Sequence, residues 1–461
     1  MGIEYLGLSS INGPLVILEG VQDAFFDKIV EFTVDGKTKK IGRIIELYED
    51  KAVIQVFEGT ENMSLDNTRT KLTGHPMEVS LAPDMLGRTF NGIGKPIDGL
   101  GPLITDVKRD VNGLPLNPVR RKYPRNYIRT GISAIDGLTT LIRGQKLPIF
   151  SGNGLPHDQL AAQIVKQASL GDGSDEPFAV VFGAMGVKHD VADFFQKTFE
   201  ESGVADHVCM FLNLANDPVV ERLITPKVAL TAAEYLAFDC NMHILVILTD
   251  MTSFAEAMRE VSSSKGEIPS RKGYPGYLYS ELATLYERAG IIEGAEGSVT
   301  QLPILTMPND DITHPIPDLT GYITEGQIVL DRNLNGQTIY PPISVLPSLS
   351  RLMKDGIGEG YTREDHQDLA NQLFSAYAKV GEARNLASVI GEDELSPIDK
   401  KYLEFGKAFE ERYIGQGPEE NRSMIETLDL GWELLKILPR EELDRIDTKI
   451  IDKYLPKEQE S

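Results

Sequence analysis

Residues 147–158 are Leu147-Pro148-Ile149-Phe150-Ser151-Gly152-Asn153-Gly154-Leu155-Pro156-His157-Asp158, and the fold class follows from them. The first four residues are typical of a buried strand, a glycine-rich turn follows, and a helical pattern begins at His157. This order of strand, loop and helix is the context of a phosphate-binding loop, because the amides at a helix N-terminus attract anions. These residues therefore predict an α/β domain of the kind that binds nucleotides.

The same loop lacks the side chains with which such loops bind phosphate. A GxxxxGK[ST] loop needs a lysine for the β- and γ-phosphates and a hydroxyl for Mg²⁺. Counted from Gly152, the pattern places His157 and Asp158 at the second glycine and the lysine, and an earlier start places His157 at the lysine. The degenerate pocket that we predict comprises Gly152, Asn153, Gly154 and His157. An ordinary turn in an α/β domain fits the same residues.

Strands and helices alternate on both sides of this loop. The strand candidates are Leu147–Phe150, Phe178–Phe182, Val208–Leu212, Ile244–Leu248, Pro303–Leu305 and Gln327–Leu330. The helix candidates include His157–Leu170 and Lys227–Phe238. Near-continuous apolar strands that alternate with helices predict a parallel sheet covered on both faces.

Two further patterns resemble parts of a nucleotide site. Asp250 follows the strand Ile244–Leu248, where a Walker B aspartate would hold Mg²⁺, and we add it to the predicted pocket. This signal is weak by itself, because aspartate is common after apolar strands. Gly92-Ile93-Gly94-Lys95 also looks like a phosphate loop, but Pro96 follows it and the pattern before it predicts no strand. We therefore predict a structural turn there.

The flanks of the α/β region have different patterns. Short runs at Pro14–Leu18, Lys28–Val34, Arg43–Tyr48 and Lys51–Phe57, with a hairpin turn at Asp35-Gly36, predict a small closed or sandwiched all-β domain. After Arg351 the periodicity is helical, and Thr362 with Asp365, and Ser396 with Pro397, are start signals. We predict a bundle of about four helices.

The apolar stripes of these helices are predicted to be core. They are Leu369, Leu373 and Tyr377, then Ile398, Tyr402, Phe405, Phe409 and Tyr413, then Ile425, Leu428, Trp432 and Leu435.

Composition excludes several classes of function. The net charge of −23 over 461 residues disfavours nonspecific binding to nucleic acid and to anionic lipid. The longest strongly apolar run, Ile244–Leu248, is far too short to span a bilayer, so we expect no direct membrane insertion. Cys209 and Cys240 have no CxxC spacing and no nearby histidine cluster, which predicts buried free thiols and neither a metal site nor a disulfide.

Several longer blocks closely resemble the beta chain, the non-catalytic regulatory member, of the V-type and A-type rotary ATPases. The resemblance extends from about Glu4 to Lys453. The blocks are Asp84–Arg88, Phe90–Asp98, Arg143–Phe150, Gly273–Tyr277, His314–Gln327 and Leu346–Arg351. One departure is Ser344, where the wider rotary ATPase signature usually has Asp or Asn, so the local hydrogen bonding of this turn is in question.

The resemblance implies three domains: an N-terminal β-barrel (1–74), a central RecA-like α/β domain with a degenerate Walker A motif (75–350) and a C-terminal helical domain (351–461). It implies a ring in which three copies alternate with three catalytic subunits, with central-stalk rotor and peripheral-stalk subunits as further partners. ATP or ADP with Mg²⁺ would lie at the interface with the catalytic subunit, and none would be held tightly by this chain alone. The complex would couple ATP synthesis or hydrolysis to proton or sodium transport, with this chain as its non-catalytic, regulatory member on the cytoplasmic face of the cell membrane.

The resemblance also assigns a role to Arg351, which ends the Ser-Leu-Ser-Arg block. The matching family motif presents an arginine to the nucleotide of the neighbouring catalytic subunit, as a finger in trans. Ser348 and Ser350 are candidates for holding the backbone of this loop. Without the family, a lone arginine at a domain boundary would be interpreted as a solvated surface charge.

Three alternatives stay open at this point. A self-sufficient ring ATPase, such as an export motor or an RNA translocase, is opposed by the lysine-free loop and by the acidic charge. A scaffold or regulatory binding protein would contribute nothing to an active site. A milder variant of the rotary ATPase interpretation retains weak nucleotide binding in the degenerate pocket.

Overall fold

The computed structural model describes residues 3–113, 116–171 and 173–455, so a few residues of each predicted domain lie outside the described part. The described residues form two compact units. The first contains residues up to 120 together with 179–288 and 294–297, and the second contains 121–178, 289–293 and 298 onward. The boundaries 1–74, 75–350 and 351–461 remain predictions.

The first unit begins with a seven-stranded antiparallel sheet. Its strands, in spatial order, are Glu4–Leu6, Arg69–Leu72, Ile29–Val34, Thr38–Leu47, Lys51–Val56, Leu15–Glu19 and Ser10–Asn12. The predicted hairpin at Asp35-Gly36 is confirmed, and both residues have positive φ, as a two-residue hairpin turn requires. Alternate residues such as Val30, Phe32 and Ile54 are fully buried and form the interior of this sheet.

The rest of the first unit is α/β. Its strands are Glu78–Ser80, Thr89–Asn91, Lys108–Asp110, Phe178–Val187, Val208–Leu214 and His243–Thr249, and its helices are His189–Glu201, Val219–Phe238, Met251–Ser264 and Leu278–Tyr286. Strand Val208–Leu214 pairs in parallel with Phe178–Val187 on one side and with Thr89–Asn91 on the other. Every residue of His243–Thr249 is buried, as the continuous apolar pattern predicts.

Two predictions for this unit are corrected. The helix predicted to begin at Lys227 begins at Val219 and contains Pro226, because burial of most of its residues outweighs the missing hydrogen bond. Strand Thr89–Asn91 does precede the Gly92–Lys95 turn, contrary to the prediction. The turn itself is structural, since the Asn91 side chain accepts bonds from the amides of Ile93 and Lys95.

The second unit contains a four-stranded arrangement ordered Ser298–Met307, Ile149–Gly152, Gly326–Leu330 and Ile343–Ser350. The first two pairings are parallel and the last is antiparallel. Shorter strands are Arg121–Lys122, Tyr127–Arg129, Leu141–Ile142, Ser169–Leu170 and Gly290–Ile292, and the helices up to residue 350 are Ser133–Asp136, His157–Gln167, Pro315–Ile323 and Arg332–Gly336. The predicted helix His157–Leu170 is three residues too long, because Ser169–Leu170 pairs with Tyr127–Arg129 instead.

The C-terminal part of this unit contains the predicted four helices. They are His366–Ile390, Pro397–Ala408 (continued by the π-helical Phe409–Ile414), Met424–Leu435 and Thr448–Tyr454. The start at Ser396-Pro397 is confirmed, since the Ser396 side chain accepts a bond from the Asp399 amide. The start at Thr362 is wrong: the helix begins after Asp365, and the Thr362 hydroxyl accepts from the Gly358 amide.

The predicted core of these helices is largely correct. Trp432 is buried, and its Nε1 donates to Asp365 Oδ2 at 2.6 Å. Ile425 is the clear error, with 63% of its surface exposed, because it lies in the first turn of its helix on the outward side. Cys209 is buried and Cys240 only half-buried, and both are free thiols.

Short 3₁₀ turns complete the described secondary structure. They are Pro83–Met85, Pro118–Arg120, Ala205–His207, Arg271–Gly273, Pro308–Asp310, Met353–Asp355, Glu392–Glu394 and Arg440–Glu442. Among the described residues, no helix combines the length and the apolar character needed to cross a bilayer.

Stability should depend on pH through the buried His366. Its Nε2 lies 2.9 Å from the carbonyl oxygen of Gly137, which can only accept, so Nε2 carries the proton and Nδ1 accepts from Thr362 at 3.0 Å. Burial lowers the pKa of His366 from 6.5 to about 4. Between these pH values the unfolded chain binds the extra proton and the folded chain does not. The free energy of unfolding should therefore fall by about 3 kcal/mol as the pH drops through this range.

Urea unfolding of the His366→Gln variant across this pH range tests the expectation. Glutamine cannot take up the proton, so this part of the pH dependence should disappear. His207→Gln is the matched control, because His207 is exposed. A His366→Gln protein that keeps the wild-type pH slope would contradict the assignment.

Candidate functional site

The loop after strand Ile149–Gly152 is closed on itself. The Leu155 amide donates to the Gly152 carbonyl at 3.1 Å, and the His157 amide donates to the Leu155 carbonyl at 2.9 Å. Gly154 is exposed with a φ of +78°, which suits glycine at the tip of such a turn. Two amides that a phosphate-binding loop would offer to its ligand are thus already bonded within the turn.

The side chain of His157 is also held within the loop. Its Nδ1 lies 2.8 Å from the hydroxyl oxygen of Ser151, and its Nε2 lies 3.7 Å from Asp158 Oδ1. Lys166, the next lysine along the helix, binds both carboxylate oxygens of Glu419 at 2.7 Å. The structure therefore puts neither lysine charge nor a free histidine at the predicted phosphate position.

An ion pair that the sequence analysis missed lies against this loop. Arg332 donates to both oxygens of Asp310, at 2.6 and 2.8 Å, and also to the carbonyl oxygen of Asn153 at 2.9 Å. A Cβ atom at Gly152 would overlap the Asp310 carboxylate, so a larger residue there would displace this ion pair. The hydrogen bond from Arg332 holds the pKa of Asp310 below its usual value. Arg332, which contacts the loop, is thus neutralised by a neighbouring carboxylate.

A groove of about 850 Å³ opens beside Tyr340 in the same unit. The Tyr340 hydroxyl donates to Gln163 on helix His157–Gln167, and the Gln163 amide donates to the carbonyls of Gly417 and Glu420 at 3.0 and 3.1 Å. The helix that starts at the loop is thereby tied to the segment that borders the groove. The sequence analysis did not predict this groove, because Tyr340 before Pro341-Pro342 is the only local signal for it.

Asp250, the predicted Walker B residue, belongs to the first compact unit, whereas the loop belongs to the second. It caps helix Met251–Ser264, and its side chain accepts from the Thr252 amide at 2.9 Å. This capping of the helix N-terminus is enough to explain why an aspartate occupies position 250.

Arg351 follows the edge strand Ile343–Ser350, which fixes its backbone. Its amide donates to the Glu325 carbonyl at 2.9 Å, and the strand pairs antiparallel with Gly326–Leu330. The side chain is exposed, and its only hydrogen bond within the described residues is a long one of 3.3 Å to the Thr324 carbonyl. Within the same range of residues, no carboxylate forms an ion pair with this guanidinium.

The carboxylate of Glu325, whose carbonyl anchors Arg351, is engaged elsewhere. Glu325 lies 2.8 Å from Lys146 Nζ and accepts from the Lys146 amide at 3.0 Å. Lys146 is buried, whereas 29% of the Glu325 side chain is exposed, so the pair is only partly shielded from solvent. Because Lys146 neutralises Glu325, this carboxylate does not cancel the charge of Arg351.

The two candidate serines both bond to backbone. Ser350 donates to the Thr140 carbonyl and accepts from Gln145, each at 2.9 Å. Ser348 donates to the Ser344 carbonyl at 2.5 Å and accepts from the Val329 amide at 2.9 Å. At Ser344, where the family motif usually has Asp or Asn, the backbone carbonyl makes this turn contact.

Comparisons with family models and with individual proteins identify one family, and the individual relatives cover nearly the whole chain. Residues 131–350 match the ATP synthase alpha/beta family, nucleotide-binding domain. Residues 8–74 match the beta-barrel domain of that family, and residues 355–455 match the C-terminal domain of V and A type ATP synthase.

Curated relatives and a solved structure agree with these matches. The V-type ATP synthase beta chain 2 of Clostridium tetani is 64% identical over 453 residues, 98% of both chains. The V-type ATP synthase beta chain of Halothermothrix orenii is 63% identical over 451 residues, 98% of this chain and 97% of the other. The structure of the ATP synthase subunit NeqB from Nanoarcheaum equitans aligns with a TM-score of 0.73 at 40% identity, covering 92% of this chain and 98% of that one.

Nucleotide binding to the isolated chain should be weak and insensitive to Mg²⁺. The loop offers no lysine and no free hydroxyl for the metal, and two of its amides are bonded internally. Calorimetric titration with ATP and with ADP, each with Mg²⁺ and with a chelator, should give Kd values on the order of 1 mM in all four cases. Micromolar binding that requires Mg²⁺ would contradict this account of the loop.

Removal of the Asp310 charge should make the loop more attractive to polyphosphate. In the Asp310→Asn variant, Arg332 keeps its place beside Asn153 but loses its neutralising partner. Because both side chains are about half exposed, the gain in affinity for inorganic tripolyphosphate should be modest, roughly two- to fivefold. Asp452→Asn is the matched control, since Asp452 pairs with Arg440 at a similarly exposed site away from the loop. Equal gains in both variants would indicate a nonspecific charge effect.

Proposed function

Because this chain belongs to the beta chains of V-type ATP synthases, we propose that it supplies Arg351 in trans to the nucleotide site of the catalytic subunit. The chain's own loop lacks the groups needed to bind and cleave a triphosphate. Its contribution to the chemistry is therefore one positive charge delivered to a neighbouring site, and the chain is not catalytic alone.

The observation that supports this proposal is the state of Arg351. Its backbone is fixed by the Glu325 carbonyl and by the edge strand, whereas its guanidinium is exposed and forms no ion pair among the described residues. A solvated surface arginine would gain little from a backbone that is fixed in this way. A guanidinium that must meet a phosphate at a fixed position gains directional precision from it.

The mechanism follows from the chemistry of phosphoryl transfer. Negative charge spreads over the oxygens of the transferred γ-phosphoryl group in the transition state, and a planar guanidinium can bind two of these oxygens at once. ATP or ADP with Mg²⁺ would be held mainly by the catalytic subunit. Arg351 would close that site from the side and stabilise the transition state more than the ground state.

The proposal extends to the assembly in which this contact forms. Three copies of the chain alternate with three catalytic subunits in a ring, around central-stalk rotor subunits and supported by peripheral-stalk subunits. The ring couples ATP synthesis or hydrolysis to proton or sodium transport at the cytoplasmic face of the cell membrane. The family membership supports this arrangement, and the lysine-free loop fits the non-catalytic place in it.

Replacement of Arg351 should abolish turnover while the ring still assembles. In complexes reconstituted with the catalytic subunit, Arg351→Ala should lower ATPase activity by roughly 10³- to 10⁵-fold, the range measured for other arginine fingers. Arg351→Lys should recover little activity, because an ammonium cannot bind two oxygens in a planar geometry. Mass measurement of the complex and steady-state turnover give the two readouts separately.

Arg445→Ala is the matched control, because Arg445 is an equally charged and exposed residue of the C-terminal part. Intact assembly with undiminished turnover in the Arg351→Ala ring would overturn the proposal. That result would favour the scaffold alternative, in which the chain organises the ring without touching the reaction. Loss of assembly in Arg351→Ala but not in Arg351→Lys would assign the residue to the interface alone.

A further inference from the structure

A cavity of about 390 Å³ lies within the first unit, beside strands of the N-terminal sheet and the helices Val219–Phe238, Met251–Ser264 and Leu278–Tyr286. This volume lies in the range of about 300–1,000 Å³ that is usual for sites that bind small molecules. The cavity belongs to neither the degenerate loop nor the Arg351 strand, both of which are in the second unit.

One wall of the cavity carries an arginine with poor partners. Arg43 donates to Asp27 Oδ1 and to Gln55 Oε1, each at 3.3 Å. Its Nε is buried and has no hydrogen-bond partner in the described structure. Charge-assisted hydrogen bonds are normally about 2.7–2.9 Å long, so this guanidinium is only partly satisfied.

The buried Lys227 also has only distant hydrogen-bond partners. It is 9% exposed, and its Nζ lies 3.4 Å from Asn112 Oδ1 and 3.7 Å from Glu281 Oε2. An ammonium has three donors and is costly to bury without close acceptors. Arg288 in the same unit shows what a satisfied buried cation looks like, since it binds Glu234 at 2.6 and 2.8 Å. Arg43 and Lys227 therefore have hydrogen-bond donors that can still bind an anion.

Much of the remaining lining is apolar. Ile224, Phe254, Met258 and Val261 are buried and line the cavity, and Phe26 and Tyr277 are its exposed aromatic residues. A ligand that fills this space would place an apolar body against these side chains. Its charged end would then face Arg43 and Lys227.

The charges of the lining define the ligand further. Lys265 is paired with Glu267 at 3.6 Å, so the cations left for a ligand are Arg43 and Lys227, whose only nearby carboxylates among the lining residues are Asp27 and Glu281 at 3.3 and 3.7 Å. We propose that this cavity binds a small amphipathic monoanion, a carboxylate on an aromatic or aliphatic body, with its carboxylate between Arg43 and Lys227. One carboxylate would supply the close acceptors that Arg43 and Lys227 lack, whereas a phosphate dianion would be repelled more strongly by Asp27 and Glu281.

The proposal can be tested on the full chain with a matched pair of probes. 1-Naphthylacetate carries the required carboxylate and aromatic body, and 1-naphthylacetamide has the same shape without the charge. In calorimetric titrations the acid should bind with a Kd on the order of 1 mM or tighter, at least about tenfold more tightly than the amide. Equal affinities, or no saturable binding of the acid, would overturn the proposal.

Three variants locate the binding. Lys227→Met should bring the acid-to-amide ratio of affinities close to one, and Leu223→Trp should weaken both probes several-fold by filling the cavity. Lys197→Met, at an exposed lysine of the same unit, should change neither. An acid preference that survives Lys227→Met, or undiminished binding to Leu223→Trp, would place the probe elsewhere and refute the assignment. If Lys227→Met fails to fold, Leu223→Trp alone decides the location. None of these outcomes depends on the role of Arg351.

Discussion

The contacts between Lys146 and Glu325 hold both candidate sites in place. The two residues form three contacts: the Lys146 ammonium and amide both bind the Glu325 carboxylate, and the Glu325 amide donates to the Lys146 carbonyl at 3.2 Å. Lys146 leads into strand Ile149–Gly152 and hence into the degenerate loop, and the carbonyl of Glu325 anchors the backbone of Arg351. Such a pair is costly to break from the Glu325 side, because the Lys146 ammonium would stay buried without this carboxylate. The pair therefore fixes the loop strand and the Arg351 strand to one another and keeps the Glu325 carboxylate from neutralising Arg351.

The two sites show how a nucleotide-binding fold can keep its shape around a loop that lacks the lysine of a phosphate-binding loop. In the loop, the hydrogen bonds that would otherwise go to a phosphate are made within the chain: amides bond to loop carbonyls, His157 bonds to Ser151, and Arg332 pairs with Asp310. Each substitute satisfies a polar group that would be costly to leave unpaired, so the turn is stable without a ligand. At Arg351 the reverse holds, since a well-anchored cation has no ion-pair partner among the described residues.

Local sequence patterns predict a large part of this structure. The hairpin turn at Asp35-Gly36, the apolar strand at Ile244–Leu248 and the Ser396 cap each depend on a few neighbouring residues, and each prediction is confirmed. The family that the longer motif blocks indicate is confirmed, as are its three kinds of domain. The errors arise where distant residues compete with local preference. The Asp365 carboxylate binds Arg363 and Trp432 and does not cap the helix as predicted with Thr362. The helix from His157 stops because Ser169 pairs with Arg129.

Adjacent residues are enough to establish that this chain is of an α/β nucleotide-binding type with a loop that lacks its lysine, and that Arg351 ends a motif shared with its family. Periodicity, turn residues and missing side chains are properties of neighbouring positions, so they can be read without coordinates. Which charges are neutralised is settled only by the folded chain: Glu325 by Lys146, Asp310 by Arg332, and Arg43 and Lys227 only in part. Lys146 and Glu325 lie 179 residues apart, and no local pattern encodes a contact over such a distance. The chain must fold before the competition among its carboxylates for a limited number of cations is resolved.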